Sequence, residues 1–533
     1  MPSPGDNRRP AAMDLLACLS VTNLFFIVPV WHDLLVHPDP YLLRAGVDPR
    51  HYVAALALLA ALAILATGLV RLARARSPQA LGYAVPLLLV LFFARYVDYH
   101  PLAPWIGAAA CELAGLLPVA LVVLAFWKKR KKLMAAARAT ALIAAPFLVV
   151  TVGNATSELQ EAPLYQPAPL APPLVKTCEN CPFVFWGILD EWDQQYGLEE
   201  LPEGIALPNI ERLIATSFSA REAYAPAGET YLSLPALLTG KLVKEAHDTS
   251  PRELSLTLGD TDGNPAGHAK FSRAPNYFDR MRARGYESAL VGFYHPYCRA
   301  IAHSLASCFS YAVREVQPEL ENAHSLSGAM GFWLARLITG AASPEREGKT
   351  LWWDGSAAEE LEAQLFNVLD NPRYRNVFLH IPLPHPPAPP GDDYFDNLLR
   401  VDALVGALRK QLEQSGRWEG AAILLSSDHF WRLAKWCERG PTTRRERSFT
   451  GCETDHRVPF VIKLPGQREP FVYDGAFNNV ISGALLEAVA SGELTTARQV
   501  AAWIGAHSTL AKSPYFYGSP VNPWPDSKNG EEH

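Results

Sequence analysis

Apolar positions in the first 153 residues gather into unbroken runs, whereas further along they come as short bursts between amphipathic stretches. The runs cover Leu15–Val36, Val53–Val70, Ala80–Ala94, Leu102–Trp127 and Leu133–Gly153. Most approach the ~20 residues a helix needs to cross a hydrocarbon core, so the pattern predicts about five transmembrane helices in residues 1–153. A cleaved secretory signal also begins with an apolar run. Here no small-residue cleavage site follows the first run, and four more runs come after it.

From Asn154 to Thr177 the residues Pro163, Pro167, Pro169, Pro172 and Pro173 predict an extended, semi-rigid spacer rather than a helix. In residues 178–510 the runs Phe183–Leu189, Tyr286–Phe293, Asn376–Leu383, Ala421–Ser427 and Val458–Leu464 read as buried strands. Asn209–Thr216, Ala357–Leu369 and Tyr394–Ser415 read as helices; in the last, Leu398, Val401, Leu404, Val405, Leu408 and Leu412 recur at helical spacing. This alternation predicts an α/β domain with a largely parallel central sheet and helices on both faces, behind an α-helical membrane domain. Residues 511–533, with Pro520, Pro523, Pro525 and Gly530, read as a loose tail.

Charge divides at the same boundary. The chain has 48 Lys+Arg and 54 Asp+Glu, yet residues 1–153 carry 14 and 7, leaving +7 in the first part and −13 in the rest. Arg8 and Arg9, then Arg71, Arg74 and Arg76, then Lys128, Lys129, Arg130, Lys131 and Lys132 fall on one side of the five predicted spans. By the positive-inside bias that side is cytoplasmic, which puts everything after Gly153 on the periplasmic or extracellular face of a bacterial-type inner membrane. A nucleic-acid binder is excluded, because the positive excess lies within apolar runs; a disordered acidic chain is excluded by the Trp, Tyr and Phe content of the acidic part. Glu112, inside the fourth run, needs a partner or water: Arg95 is one partner, and a polar point on a lipid-head-group path is the other reading.

Cys18 and Cys111 lie within apolar runs, leaving Cys178, Cys181, Cys298, Cys308, Cys437 and Cys452 as three sequence-local pairs. An even set outside a membrane predicts disulfides. Cys178-Glu-Asn-Cys181 also has the spacing of a redox pair or half a zinc site, but no second such pair or nearby His completes a tetrahedral set.

Open α/β sheets bind ligands beyond the carboxyl ends of their strands. There the chain places Asp190-Glu191, His385 in Pro384-His385-Pro386-Pro387, and Ser427-Asp428-His429, while His456 immediately precedes a strand. Carboxylates with imidazoles suit a divalent ion such as zinc or manganese. Between the first two of these strands, Thr230-Tyr231-Leu232-Ser233-Leu234-Pro235 reads as a helix start, with Pro235 in the first turn and Ser233 as a cap. Such a terminus suits a phosphate or sulfate. Thr230 stands at its mouth, where metal coordination turns a poor nucleophile into a good one.

Taken together, Asp190-Glu191, Thr230 with Leu238-Thr239-Gly240, Pro384-His385, Ser427-Asp428-His429 and His456-Arg457-Val458-Pro459-Phe460 resemble the sulfatase-type domain of the alkaline phosphatase superfamily from about Phe183 to Gly466. With five N-terminal spans, the chain further resembles membrane phosphoethanolamine and phosphoglycerol transferases, whose nucleophile stands in Thr-x-x-Ser-Leu-Pro. The resemblance implies a phospholipid donor, a head group held on Thr230, and an envelope glycan or lipid as acceptor. It implies Asp190, Asp428, His429 and Thr230 as metal ligands with Glu191 as a further one, and His385, His456, His295 and Lys241 as substrate-binding residues; the other readings are a second metal ion for His385 and His456, a structural role in a disulfide loop for His295, and a surface lysine for Lys241. It departs from sulfatases proper: threonine replaces the Cys or Ser that becomes formylglycine, Leu234 replaces their arginine, and Gly292-Phe293-Tyr294-His295 lacks the lysine of Gly-Lys-Trp-His. A membrane-anchored hydrolase of phosphate or sulfate esters, and a non-catalytic envelope scaffold or sensor, are the alternatives. Trp436–Asp455, with Arg444, Arg445 and Arg447, reads as a loop over the site, either reading an anionic acceptor or simply solvated.

Overall fold

The computed structural model describes residues 8–35, 40–77, 130–178, 180–260, 264–339, 341, 356–386, 392–439 and 442–507. The chain forms two compact units. One comprises Met1–Pro38, Gly46–Ala162 and Val316–Arg346, the other Asp39–Ala45, Pro163–Glu315 and Glu347–His533.

Among the described residues, the first unit has three helices long and apolar enough to cross a membrane: Ala12–Leu35, Pro49–Arg76 and Arg138–Tyr165. Ile64, Leu65, Leu69, Val149 and Val150 on them are exposed, as side chains facing hydrocarbon would be. The expected spans Ala80–Ala94 and Leu102–Trp127, with Arg95, Cys111 and Glu112, lie outside the described residues. So does the expected tail at 511–533. The expected spacer is corrected at its start, because a helix over Pro146–Glu161 runs on through Asn154. Its first proline is Pro163, so nothing before that position interrupts helical hydrogen bonding, and extended chain begins only at Pro167. A second difference is the return of Val316–Arg346 to this unit. Its helix, Leu326–Thr339, seats Trp333 against Trp31, and Trp333 Nε1 donates to His51 Nδ1 at 3.1 Å.

The second unit is built on a mostly parallel eight-stranded sheet. In chain order its strands are β1 (Phe183–Leu189), β2 (Phe218–Ala220), β3 (Ser288–Gly292), β4 (Ser307–Ser310), β5 (Asn376–Ile381), β6 (Ala421–Ser426), β7 (Phe460–Lys463) and β8 (Phe471–Tyr473). Their spatial order is β8-β2-β7-β6-β1-β5-β3-β4, and only β7 runs against the others. Strands β1, β5 and β6 are buried on both faces, which explains their unbroken apolar sequence. Helices Ser356–Leu369, Tyr394–Gln414 and Pro208–Ile214 pack with one another and on the sheet, as do Tyr277–Ala283, Thr230–Thr239 and Ser482–Ala490. Trp186 of β1 sits edge-on to Tyr277 and Phe378. Beside the sheet, Val243–Ser250, Glu253–Gly259 and Pro265–Lys270 form an antiparallel meander. The cysteines pair as Cys178–Cys181, Cys298–Cys308 and Cys437–Cys452.

Candidate active site

Register sets the site. Ala220, Phe460, Ser426, Ile188 and His380 stand in one row across β2, β7, β6, β1 and β5. Asp190 is therefore just beyond the row on β1, and Asp428 and His429 just beyond it on β6. Because β7 is reversed, His456 before its start falls on the same edge. Ser427 joins the two central exits: its hydroxyl lies 2.7 Å from the carbonyl of Leu189 and accepts the N–H of Trp192 at 3.0 Å.

Asp190, Asp428 and His429 come together, each with a donor atom within 4.8 Å of the others. His429 Nε2 is 3.5 Å from Asp190 Oδ1, 3.5 Å from Asp428 Oδ2 and 3.2 Å from Thr230 Oγ1. Its Nδ1 lies 3.0 Å from the carbonyl of Phe430, an acceptor only, so Nδ1 carries the proton and Nε2 presents a lone pair. Burial pushes the imidazole well below its usual pKa and the ring is neutral. Burial likewise pushes the Asp190 carboxyl well up, helped by Asp428 and Glu191, and brings Asp428 up to about 7. Asp190 Oδ1 and Asp428 Oδ2 are both buried and lack a hydrogen-bond partner. Two desolvated carboxylate oxygens beside an imidazole lone pair and a hydroxyl form a hard, anionic donor set, and a divalent cation fits it.

Thr230 enters as the first residue of the helix Thr230–Thr239. This corrects the expected start: Glu229, not Ser233, is the N-cap residue, and Pro235 lies inside the helix. The Ser233 hydroxyl instead donates to the carbonyl of Ala227 at 3.0 Å, stapling the approach loop to the first turn.

The other expected residues separate. Glu191, with φ of 58°, is ion-paired to Arg432 at 2.6 Å and accepts Trp436 Nε1 at 2.9 and 3.2 Å, outside the Asp190–Asp428–His429 group. His385 joins that second cluster, with Nε2 3.3 Å from an Arg432 nitrogen, and burial pulls it down to about 4. His456 is half-buried with its ring against Phe430. Lys241 is not brought in: it is exposed just beyond the far end of the ten-residue Thr230 helix, about 15 Å away by helical rise. His295 is fully buried with both ring nitrogens engaged inside the protein, Nε2 on the Thr230 carbonyl at 3.1 Å and Nδ1 on the Tyr41 hydroxyl at 3.2 Å.

Three further residues of the two clusters were not anticipated. His380, within β5, places Nε2 3.8 Å from Asp190 Oδ2 while Nδ1 donates to the Phe293 carbonyl at 2.8 Å. A histidine within the apolar run Val377–Ile381 was its signal. Arg432 precedes, and Trp436 opens, the segment Trp436–Asp455 expected as a loop; the chain there is helical over Leu433–Arg439 and Arg444–Thr450. The second of these helices begins with a capping box, Thr443 with Glu446, which the spacing of the sequence contains. Arg445 pairs with Asp393 and Asp396.

Residues 338–488 match the family model described as Sulfatase. That stretch holds His380, His385, Asp428, His429 and His456, with Asp190 and Thr230 upstream of it. No curated protein matches the chain. Among solved structures, a sulfatase from Pseudoalteromonas sp. is 16% identical, with 59% of this chain and 69% of that one covered and a TM-score of 0.39. The phosphonate monoester hydrolase of Agrobacterium radiobacter is 12% identical, with 56% and 71% covered and a TM-score of 0.35. The corresponding enzyme of Silicibacter pomeroyi is 14% identical, with 58% and 73% covered and a TM-score of 0.37.

Proposed function

We propose that this chain, whose residues 338–488 match the Sulfatase family model and whose N-terminal unit has helices of membrane-crossing length, is a metal-dependent membrane phosphotransferase. It takes the head group of a phospholipid, phosphoethanolamine or phosphoglycerol, onto Thr230 and passes it to a hydroxyl of an envelope glycan or lipid. The observation that carries this reading is Thr230 Oγ1 at 3.2 Å from His429 Nε2, at the edge of the carboxylate pair. A threonine at that place cannot become formylglycine, which disfavours sulfate-ester hydrolysis by the usual route. The three disulfides favour an oxidising compartment for the second unit, and the basic clusters between the apolar runs favour the same topology.

Asp190, Asp428, His429 and Thr230 would hold the divalent ion, zinc or manganese, which when bound supplies Lewis-acid polarisation and a lowered threonine pKa. Thr230 Oγ forms a bond to phosphorus as the bond from phosphorus to the glycerol oxygen breaks. The threonine loses its proton and the departing diacylglycerol gains one, leaving a phosphodiester between head group and threonine. An acceptor hydroxyl then displaces Thr230 by the same exchange. His385 and His456, both held neutral by burial, offer N–H donors to the phosphoryl oxygens.

The test is the intact mass of the peptide containing Thr230, from protein purified out of its native membrane, beside the Asp428→Ala variant. A head-group phosphate on Thr230 in the wild type supports the transferase. An unmodified threonine, with free head-group phosphate released when no acceptor is present, overturns it in favour of the hydrolase.

A further inference from the structure

The start of the Thr230 helix has the N–H groups of Leu232 and Ser233 on the Glu229 carbonyl, but its N-cap residue Glu229 makes no side-chain cap bond. Further support comes from outside. His295 Nε2 is 3.1 Å from the carbonyl oxygen of Thr230, which only accepts, so Nε2 carries the ring proton. Nδ1 must then be the acceptor, and the atom facing it is the hydroxyl of Tyr41 at 3.2 Å. Both side chains are fully buried, so no water replaces either bond.

Tyr41 comes from a distant part of the chain. It belongs to the short segment Asp39–Ala45, which joins the second unit although the chain before and after it belongs to the first. The segment is fixed by its backbone: Arg299 donates to the Tyr41 carbonyl at 2.6 Å, Arg314 N–H to that of Leu42 at 3.0 Å, and Arg44 N–H to that of Arg314 at 2.6 Å. A hydroxyl held this way sets the tautomer of the ring it faces. Without it, the proton is free to move to Nδ1, and a lone pair would then face the Thr230 carbonyl.

We propose that Tyr41 is a positioning residue for Thr230: its hydroxyl fixes the proton of His295 on Nε2, and that N–H holds the backbone of the nucleophile at the mouth of its helix. The proposal rests on the reading of Thr230 as nucleophile. It gives the segment between the first two membrane-crossing helices a part in the chemistry, and makes His295 a positioning residue rather than one that binds substrate.

The test uses the full chain in detergent and a phosphatidylethanolamine with a fluorescent acyl chain, following release of fluorescent diacylglycerol for Tyr41→Phe, His295→Leu, His295→Gln and Thr230→Ala. Tyr41→Phe keeps the ring packing and is expected to lower kcat about ten-fold with KM nearly unchanged, because misplacing a reacting atom costs rate rather than binding. His295→Leu falls further, and His295→Gln, whose amide N–H reaches the place of Nε2, recovers part of the loss. Bound metal and Tm are read on every variant. Wild-type kcat in Tyr41→Phe, or a His295→Gln no better than His295→Leu, overturns the proposal, as does a loss of Tm with kcat intact. Full activity in Thr230→Ala overturns the underlying reading instead. If His295→Leu does not fold, Tyr41→Phe against wild type still decides.

Discussion

Nε2 of His429 stands 3.2 Å from Oγ1 of Thr230 with its lone pair toward that oxygen, because Nδ1–H is committed to the carbonyl of Phe430. A buried, neutral imidazole of this tautomer can accept the threonine proton or ligate a cation through the same atom. Both roles require an oxygen at position 230. Thr230→Ala is expected to lose roughly a thousand-fold or more in kcat/KM with folding intact, as removal of a nucleophile does. Thr230→Ser keeps the oxygen and is expected to retain measurable turnover. Diacylglycerol release in the two variants, with circular dichroism as the folding control, checks both.

The carboxylates make a prediction about stability. Burial raises the Asp428 pKa to about 7, whereas an unfolded Asp titrates near ~3.9. Between those values the folded, metal-free protein binds more protons than the unfolded chain, so its stability falls as pH rises through that window. Asp428→Asn removes the buried charge. In chelator at pH 8 this variant is expected to melt roughly 2–5 °C above the wild type. Added zinc or manganese should reverse the order, since only the wild type keeps the full ligand set. Melting curves at pH 5 and pH 8, with and without metal, test it; a metal-free wild type whose Tm rises from pH 5 to pH 8 contradicts the argument.

Much of this was legible in the chain because chemistry and periodicity coincide. Strands β1, β5 and β6 are buried on both faces, so their apolar runs stand out and end beside Asp190, His385 and Asp428. The short strands at one end of the sheet are another matter. Phe218–Ala220 and Phe471–Tyr473 have three residues each, too few for an alternation to declare itself. Long-range pairing is also absent from local pattern: nothing near Tyr41 announces His295, 254 positions away. Glu191 illustrates the limit on ligand assignment. Adjacent carboxylates look equivalent in sequence, but the left-handed backbone at Glu191 puts the second on Arg432 rather than with the first.

That Glu191–Arg432 pair is buried on the acidic side and further tied by Trp436. Removing one member of a buried pair leaves a desolvated charge, whereas removing both does not. Arg432→Leu is therefore expected to destabilise by about 3–5 kcal/mol, and the double variant Glu191→Gln/Arg432→Leu to recover most of that. A double-mutant cycle on denaturant unfolding measures the coupling. A double variant no more stable than Arg432→Leu would mean that the pair is packing rather than charge compensation.

The Cys437–Cys452 disulfide closes a loop with a sequence separation of 15 and fastens the helix Leu433–Arg439, which carries Trp436, to the chain just after the helix Arg444–Thr450. By the loop-entropy argument, Cys437→Ser/Cys452→Ser is expected to cost about 2–3 kcal/mol. Its effect on activity follows from the residue next to Cys437. Trp436 donates to both oxygens of Glu191 and stands edge-on to His385, with ring centroids 5.5 Å apart. Loosening that helix releases His385, assigned to the transferred phosphate, while leaving Thr230 and the Asp190–Asp428–His429 group in place. The expected signature is a raised KM for the lipid donor with a smaller fall in kcat, and a bound metal content equal to wild type. Loss of metal from the variant would mean instead that the loop supports the ligand cluster directly.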